Sequence, residues 1–139
     1  TLGAEHPEVG ATYSFKGEVF YRQGKYDLAL EHYGKAVKIR LKTLGAEHPQ
    51  VGSTYNLMGS VYDDQGKYDL ALEHYQKALK ISLKTQGAEH PDVGSTYGNM
   101  GTVLQRQAKY DLALEHYQRA LKIRLKTLGA EHPQVGNTY

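Results

Sequence analysis

Residues 43–84 read TLGAEHPQVGSTYNLMGSVYDDQGKYDLALEHYQKALKISLK, and closely similar blocks precede and follow this one. The block that begins at Thr85 agrees with the block that begins at Thr43 at 31 of 42 positions. The opening segment recurs from Thr1 and from Thr127. Self-similarity at such a period is typical of repeat arrays. The chain therefore divides into repeats 1–42, 43–84 and 85–126, followed by 127–139, a linker and the truncated start of a fourth repeat.

Each block predicts two antiparallel helices. Pro49 suits the first turn of a helix, and the preceding His48 is biased towards extended backbone. Apolar residues then follow at helical steps: Val51, Tyr55, Met58 and Tyr62. Gly66 predicts the end of this first helix, and Asp69 can cap a second helix that runs to about Thr85. Glycines seven residues apart in each first helix, such as Gly52 and Gly59, predict close approach by a neighbouring helix.

These residues resemble the tetratricopeptide repeat. Tyr55, Met58, Gly59 and Tyr62 match its W-x-x-L-G-x-x-Y pattern, with Tyr for Trp and Met for Leu. The period is eight residues longer than the usual 34, as in the repeats of kinesin light chains and related scaffolds. The resemblance implies an all-α fold, a right-handed α-solenoid of antiparallel helix pairs. It also implies that peptides bind a concave face lined by the first helices.

Composition narrows the class of partner. The formal charge is +2, from 17 basic and 15 acidic side chains, so there is no clustered basic excess of the kind that binds nucleic acid. No apolar run approaches the roughly 18–20 residues of a membrane span. The chain has no cysteine, which is compatible with the cytoplasm. We therefore expect a cytoplasmic protein that binds neither nucleic acid nor membrane.

The seven histidines do not predict a metal site or a catalytic centre. They fall in two repeated columns, one in the linker and one in the second helix, represented by His48 and His74. An active site is normally unique, whereas these positions are copied in every repeat. No zinc-binding H-E-x-x-H and no G-x-S-x-G nucleophile motif occurs. The sequence predicts structural histidines, no enzyme activity, no metal and no cofactor.

Comparison of the repeats with each other separates frame from variable surface. Over 18 columns each, the first helix differs in 10 and the second helix in 5. The varying columns of the first helix share one face, which is where a concave groove is expected. Drift of an exposed face after duplication is the other explanation. The candidate partner-binding residues are Ser14, Glu18, Tyr21, Arg22, Asn56, Ser60, Asp63, Asp64, Thr102, Gln105 and Arg106.

We expect a protein-interaction scaffold that binds a peptide or protein partner in this groove. The alternative is a structural element whose repeats stack head to tail and whose groove stays empty. Neither end carries a polar capping helix, so we expect an excerpt of a longer array that self-associates through its uncapped ends. Lys16 occupies the column of Met58 and Met100, which predicts looser core packing in the first repeat. The sequence does not identify the ligand, the flanking domains or the oligomeric state.

Overall fold

The computed structural model describes residues 6–131 and contains six α-helices in that range. They are α1 (Pro7–Arg22), α2 (Tyr26–Leu44), α3 (Pro49–Asp64), α4 (Tyr68–Thr85), α5 (Pro91–Arg106) and α6 (Tyr110–Glu131). Each odd-numbered helix packs on the helix that follows it, and the pairs stack through α2 with α3 and α4 with α5. The predicted right-handed α-solenoid of helix pairs is confirmed. None of these helices is long and apolar enough to cross a membrane.

The two kinds of helix begin differently. α3 begins at Pro49, and the Nδ1 of the extended residue His48 accepts a hydrogen bond from the amide of Gln50 at 3.1 Å, a side-chain cap. The predicted cap at Asp69 is wrong, because α4 begins at Tyr68 and has no side-chain cap. Asp69 lies in the first turn, and its carboxylate accepts a hydrogen bond from Nε2 of Gln107 in the next repeat at 2.9 Å.

The turn inside each repeat requires a left-handed residue. At Gly66, φ is +77°, and the following amide of Lys67 bonds back to the carbonyl of Tyr62 at 2.8 Å. This confirms Gly66 as the helix stop. The third repeat has Ala108 at the same column, also left-handed with φ of +61°. A Cβ in that conformation is unfavourable, so the third turn holds strain that the other two lack.

The glycine columns make room for the second helix of the same repeat. A Cβ placed on Gly59 would lie 2.8 Å from the ring of Tyr75 in α4. The group that approaches the glycine is therefore a buried aromatic side chain, and only a residue without a Cβ fits below it.

Side chains on one side of each first helix are buried only when a preceding helix pair packs against them. Met58 packs in a cluster with Ala29 and Tyr33 of α2, and Val61 on the same side of α3 is fully buried. The prediction that Lys16 lies in a core column is wrong, because its side chain is exposed. Within residues 6–131 no helix pair precedes α1, so this side of α1 meets solvent.

The last helix is longer than its equivalents. α2 ends at Leu44 and α4 at Thr85, both before a left-handed glycine, whereas α6 continues through Gly129 to Glu131. The part of the expected fourth repeat at residues 132–139 lies outside the described residues.

Candidate functional site

The varying columns of α1, α3 and α5 define the surface predicted to bind a partner, which we call the groove face. α3 and α5 contact each other directly along it. The eleven predicted residues all lie on these three helices. The groove itself stays a prediction, and the contacts of its residues separate those that hold the frame from those that are available to a ligand.

At the carboxyl ends of these helices, the predicted residues bind each other across repeats. The hydroxyl of Tyr21 donates to Oδ2 of Asp64 at 2.6 Å. One repeat further on, the guanidinium of Arg106 donates to Oδ2 of Asp63 at 2.5 Å. Both contacts join one column to the next column of the following repeat. Asp63 and Asp64 therefore tie successive repeats together, which the sequence comparison did not predict.

These contacts shift the protonation of their members. Burial, and then the hydrogen bond to Asp64, raise the pKa of the Tyr21 hydroxyl above its usual value. The hydrogen bond to Asp63, followed by its charge, raises the pKa of the Arg106 guanidinium. The second oxygen of Asp63, Oδ1, is buried and has no hydrogen-bond partner within residues 6–131.

In the second and third repeats, a hydroxyl in the middle of the first helix contacts the hydroxyl of the buried tyrosine column of the second helix. Ser60 Oγ lies 2.9 Å from the Tyr75 hydroxyl, and Thr102 Oγ1 lies 3.0 Å from the Tyr117 hydroxyl. The hydroxyl of Tyr117 also donates to Oε1 of Gln105 at 3.0 Å. Ser60, Thr102 and Gln105 thus have contacts within their own repeats.

The first repeat breaks this pattern. Glu18 occupies the column of Ser60 and accepts a hydrogen bond from Arg22 at 2.8 Å instead. The hydroxyl of Tyr33 is therefore buried with no hydrogen-bond partner among the described residues. Ser14, the remaining candidate of the first repeat, is half-buried on α1.

A cavity of about 360 Å³ opens on the groove face between repeats two and three. Asn56 lies in its wall and bonds to the buried Thr96, with Nδ2 at 3.3 Å from Oγ1. The cavity is lined by Pro49, Ser53, Asn56, Leu57, Ser60, Ser82, Gln86, Asp92, Ser95 and Asn99.

Only Asn56 and Ser60 of this lining were predicted as binding residues. The sequence analysis did not include Ser82 and Gln86, because it treated the second helices as frame. The signal was present in the sequence, since Ser82 differs from both Arg40 and Arg124, and Gln86 differs from both Leu44 and Leu128.

The six histidines within residues 6–131 make local structural contacts. His6, His48 and His90 each accept the amide two residues further on, which caps the first helices. In the second helices, His74 Nδ1 lies 2.9 Å from the carbonyl of Leu70, and its ring packs on Tyr62 with centroids 4.9 Å apart. Residues 6–131 contain no group of three or more acidic or histidine side chains placed to hold a metal.

The sequence model of the tetratricopeptide repeat matches residues 8–84, 50–126 and 92–139. Among curated proteins, no sequence matches this chain.

Solved structures share the fold. BtubC (BKLC) from P. vanneervenii superposes with a TM-score of 0.82 at 27% identity, covering 87% of this chain and 48% of that one. A Podosopora anserina putative kinesin light chain with nearly identical TPR-like repeats gives 0.78 at 25% identity, covering 91% and 60%. The N-terminal domain of stress-induced protein-1 from C. elegans gives 0.70 at 20% identity, covering 88% of each chain, and shows the fold alone.

This chain spans about half to three fifths of the first two structures that it matches. The repeat signature extends over nearly all of its own length. The helix pairs, the histidine caps of the first helices and the contacts between glycines and buried tyrosines agree with this signature. The match shows that the chain belongs to the tetratricopeptide repeat family, with repeats of the kinesin light chain type.

Proposed function

We propose that this chain is a protein-interaction scaffold that binds a partner peptide on the groove face. Tetratricopeptide repeats generally mediate protein–protein interaction or assembly, and their fold is typically non-catalytic. The observation that supports this face is the cavity between α3 and α5. The side chains of two of its exposed residues, Ser95 and Asn99, make no hydrogen bond within residues 6–131. Polar groups that the frame does not use are available to a ligand.

The contacts across repeats decide how this proposal is tested. Reversing the charges of Asp63 and Asp64 would disrupt the bonds to Tyr21 and Arg106, so lost binding could reflect a disturbed array. Asn99→Phe is a better variant, because Phe15 already stands in the same column of the first repeat. The added ring would obstruct the cavity whatever the charge of the ligand.

The experiment is selection from a displayed random peptide library, followed by calorimetric titration of the enriched peptides. We expect reproducible enrichment, and Asn99→Phe should weaken binding at least about tenfold, the loss of roughly 1.4 kcal/mol. The matched control is Gln76→Phe, an exposed position on α4, which should bind as the native chain does. No enrichment, or equal loss in both variants, would contradict the proposal.

A second candidate function, head-to-tail assembly, rests on the two ends of the described array. Val19 of α1 is 54% exposed, whereas its equivalents Val61 and Val103 are fully buried. On α6, Tyr110 and Leu114 are each 60% exposed. These are the two sides that successive repeats use to pack on each other, so two copies could extend the array.

Sedimentation at rising concentration tests this assembly, and Val19→Lys should abolish it while leaving groove binding unchanged. A strict monomer at millimolar concentration would contradict it.

The predicted cytoplasmic location also stays a proposal, and imaging of a tagged full-length protein tests it.

A further inference from the structure

The second helices repeat faithfully except at a few columns. Between α2 and α4, the change that is specific to the second repeat is Arg40 to Ser82, and the third repeat returns to Arg124. Directly after α4, Gln86 replaces Leu44 of the preceding linker, and the following linker returns to Leu128. Both changed residues line the cavity between repeats two and three. The changes that occur only at the junction between repeats two and three therefore lie at this cavity.

The junction between repeats one and two shows what normally occupies this position. There the guanidinium of Arg40 donates to Oγ1 of Thr54, a fully buried residue of the next repeat, at 2.8 Å. The Arg40 side chain is half-buried, and this burial lowers the pKa of its guanidinium. A partly dehydrated guanidinium is thus accommodated between stacked repeats beside a buried hydroxyl.

At the junction between repeats two and three, Ser82 stands in place of the arginine, but the buried threonine of the next repeat is retained. Ser82 is only 7% exposed, and its hydroxyl makes no hydrogen bond within residues 6–131. Thr96, the equivalent of Thr54, donates to the carbonyl of Asp92 at 3.0 Å, as Thr54 does to the carbonyl of Gln50. Within residues 6–131 its side-chain partner is Asn56, through long contacts of 3.3 and 3.4 Å. Such long bonds are weak and readily exchanged for better ones.

The lining has also gained acceptors for a cation. Asp92 replaces Gln50 of the preceding repeat, and it is the only charged residue in the cavity lining. One carboxylate oxygen of Asp92 accepts from Nε2 of Gln86 at 3.2 Å, and the side chain is 59% exposed. Carboxylate, amide and hydroxyl oxygens in one wall suit the five N–H donors of a guanidinium.

We propose that this cavity receives the guanidinium of an arginine side chain from the bound partner, in the place that Arg40 occupies one repeat earlier. The partner's arginine would enter between α3 and α5, with Ser82 below it and Asp92 and Asn56 beside it. The volume of about 360 Å³ lies at the lower end of ligand cavities, which hold roughly 300–1,000 Å³. This inference rests on the proposed function, since it names the side chain that the groove selects.

The first test uses a small probe and needs no peptide. N-acetyl-L-arginine methylamide is titrated into the isotopically labelled chain, and amide chemical shifts are followed by NMR. We expect saturable shifts at Asn56, Ser82 and Asp92, and none with the citrulline analogue, which has the same shape without the charge. Absence of saturable shifts at these amides, or equal shifts with citrulline, would overturn the proposal.

The decisive variant is Ser82→Arg, which restores the residue that the other two repeats carry at this column. It should fold, fill the cavity with its own guanidinium and remove the arginine-specific shifts. Asp92→Gln, which copies Gln50, keeps the cavity open and should weaken the probe at least about tenfold, because charged hydrogen bonds contribute roughly 1.5–3 kcal/mol. Unchanged probe binding in both variants would also refute the site.

The selected peptides separate this inference from the proposed function. If they carry an arginine whose replacement by citrulline weakens binding about tenfold, and Ser82→Arg does the same, both stand. If peptides bind in the groove but neither change matters, the function stands and the arginine site fails. If no peptide binds the groove, the proposed function fails, and the small probe still decides the site.

Discussion

Replacing the buried tyrosines of the second helices by Phe should change the free energy of unfolding differently in two repeats. Tyr75 and Tyr33 occupy the same column, and both rings are buried against a glycine of the first helix. Tyr75 has Ser60 as a hydrogen-bond partner at 2.9 Å, whereas the Tyr33 hydroxyl has none within the described chain. Replacing each by Phe removes the same oxygen atom from different environments.

Tyr75→Phe should lower the free energy of unfolding by about 1 kcal/mol, the net value of a typical hydrogen bond. Tyr33→Phe should leave it unchanged or raise it by about 1 kcal/mol, because an unpaired buried hydroxyl costs roughly 1–3 kcal/mol. The two variants should then differ by about 1–2 kcal/mol, or roughly 3–7 °C in Tm for a chain of this length. Urea denaturation followed by circular dichroism measures the difference.

A third variant closes the comparison. Glu18→Thr should give Tyr33 the partner that Thr102 gives Tyr117 at 3.0 Å. In that background, Tyr33→Phe should become destabilising, like Tyr75→Phe. If Tyr33→Phe costs as much as Tyr75→Phe in the native chain, then the Tyr33 hydroxyl has a partner and the reasoning is refuted.

Three further predictions concern the frame. Ala108→Gly should raise the free energy of unfolding by about 1 kcal/mol, because it relieves a left-handed residue with a Cβ; no gain in thermal denaturation would contradict this. Gly59→Ala should destabilise the fold by about 1–3 kcal/mol, because the added Cβ would contact Tyr75. Gly34→Ala has nothing within 4 Å of the added Cβ and should stabilise the helix by up to about 1 kcal/mol. If urea denaturation gave changes of the same sign for both variants, the packing described for Gly59 would be contradicted. The raised pKa of Tyr21 means that the folded state holds the phenol proton more tightly than the unfolded state does. The free energy of unfolding should therefore fall as the pH rises above about 10. Tyr21→Phe should make this decline less steep in alkaline denaturation.

The repeat period and the apolar stripes predicted the helix pairs, the linker and the solenoid, because those signals are local and occur three times. The predicted cap at Asp69 was wrong because α4 begins one residue earlier, at Tyr68. Asp69 therefore lies in the first turn, where its carboxylate accepts a long-range bond from Gln107 that no local pattern shows. The prediction that Lys16 lies in a core column was wrong because a side chain in this column is buried only when a preceding repeat packs against it.

The candidate site was predicted in part. Variation between repeats selected the face that is proposed for binding, but it could not separate residues available to a ligand from contacts across repeats such as Tyr21 with Asp64. These pairs join different columns of neighbouring repeats, so their partnership appears only when the superhelix sets the stacking. Ser82 was missed because a change from Arg to Ser in a helix acquires meaning only when the space left by the side chain is seen.

The most direct test of the central claim is NMR mapping of a library-selected peptide on the labelled native chain. We predict saturable shifts concentrated on α3 and α5 around Asn56, Ser82 and Asn99, with the outward side of α4 near Gln76 unaffected. Shifts confined to the end faces at Val19 and Leu114, growing with protein concentration, would contradict the scaffold and favour self-assembly.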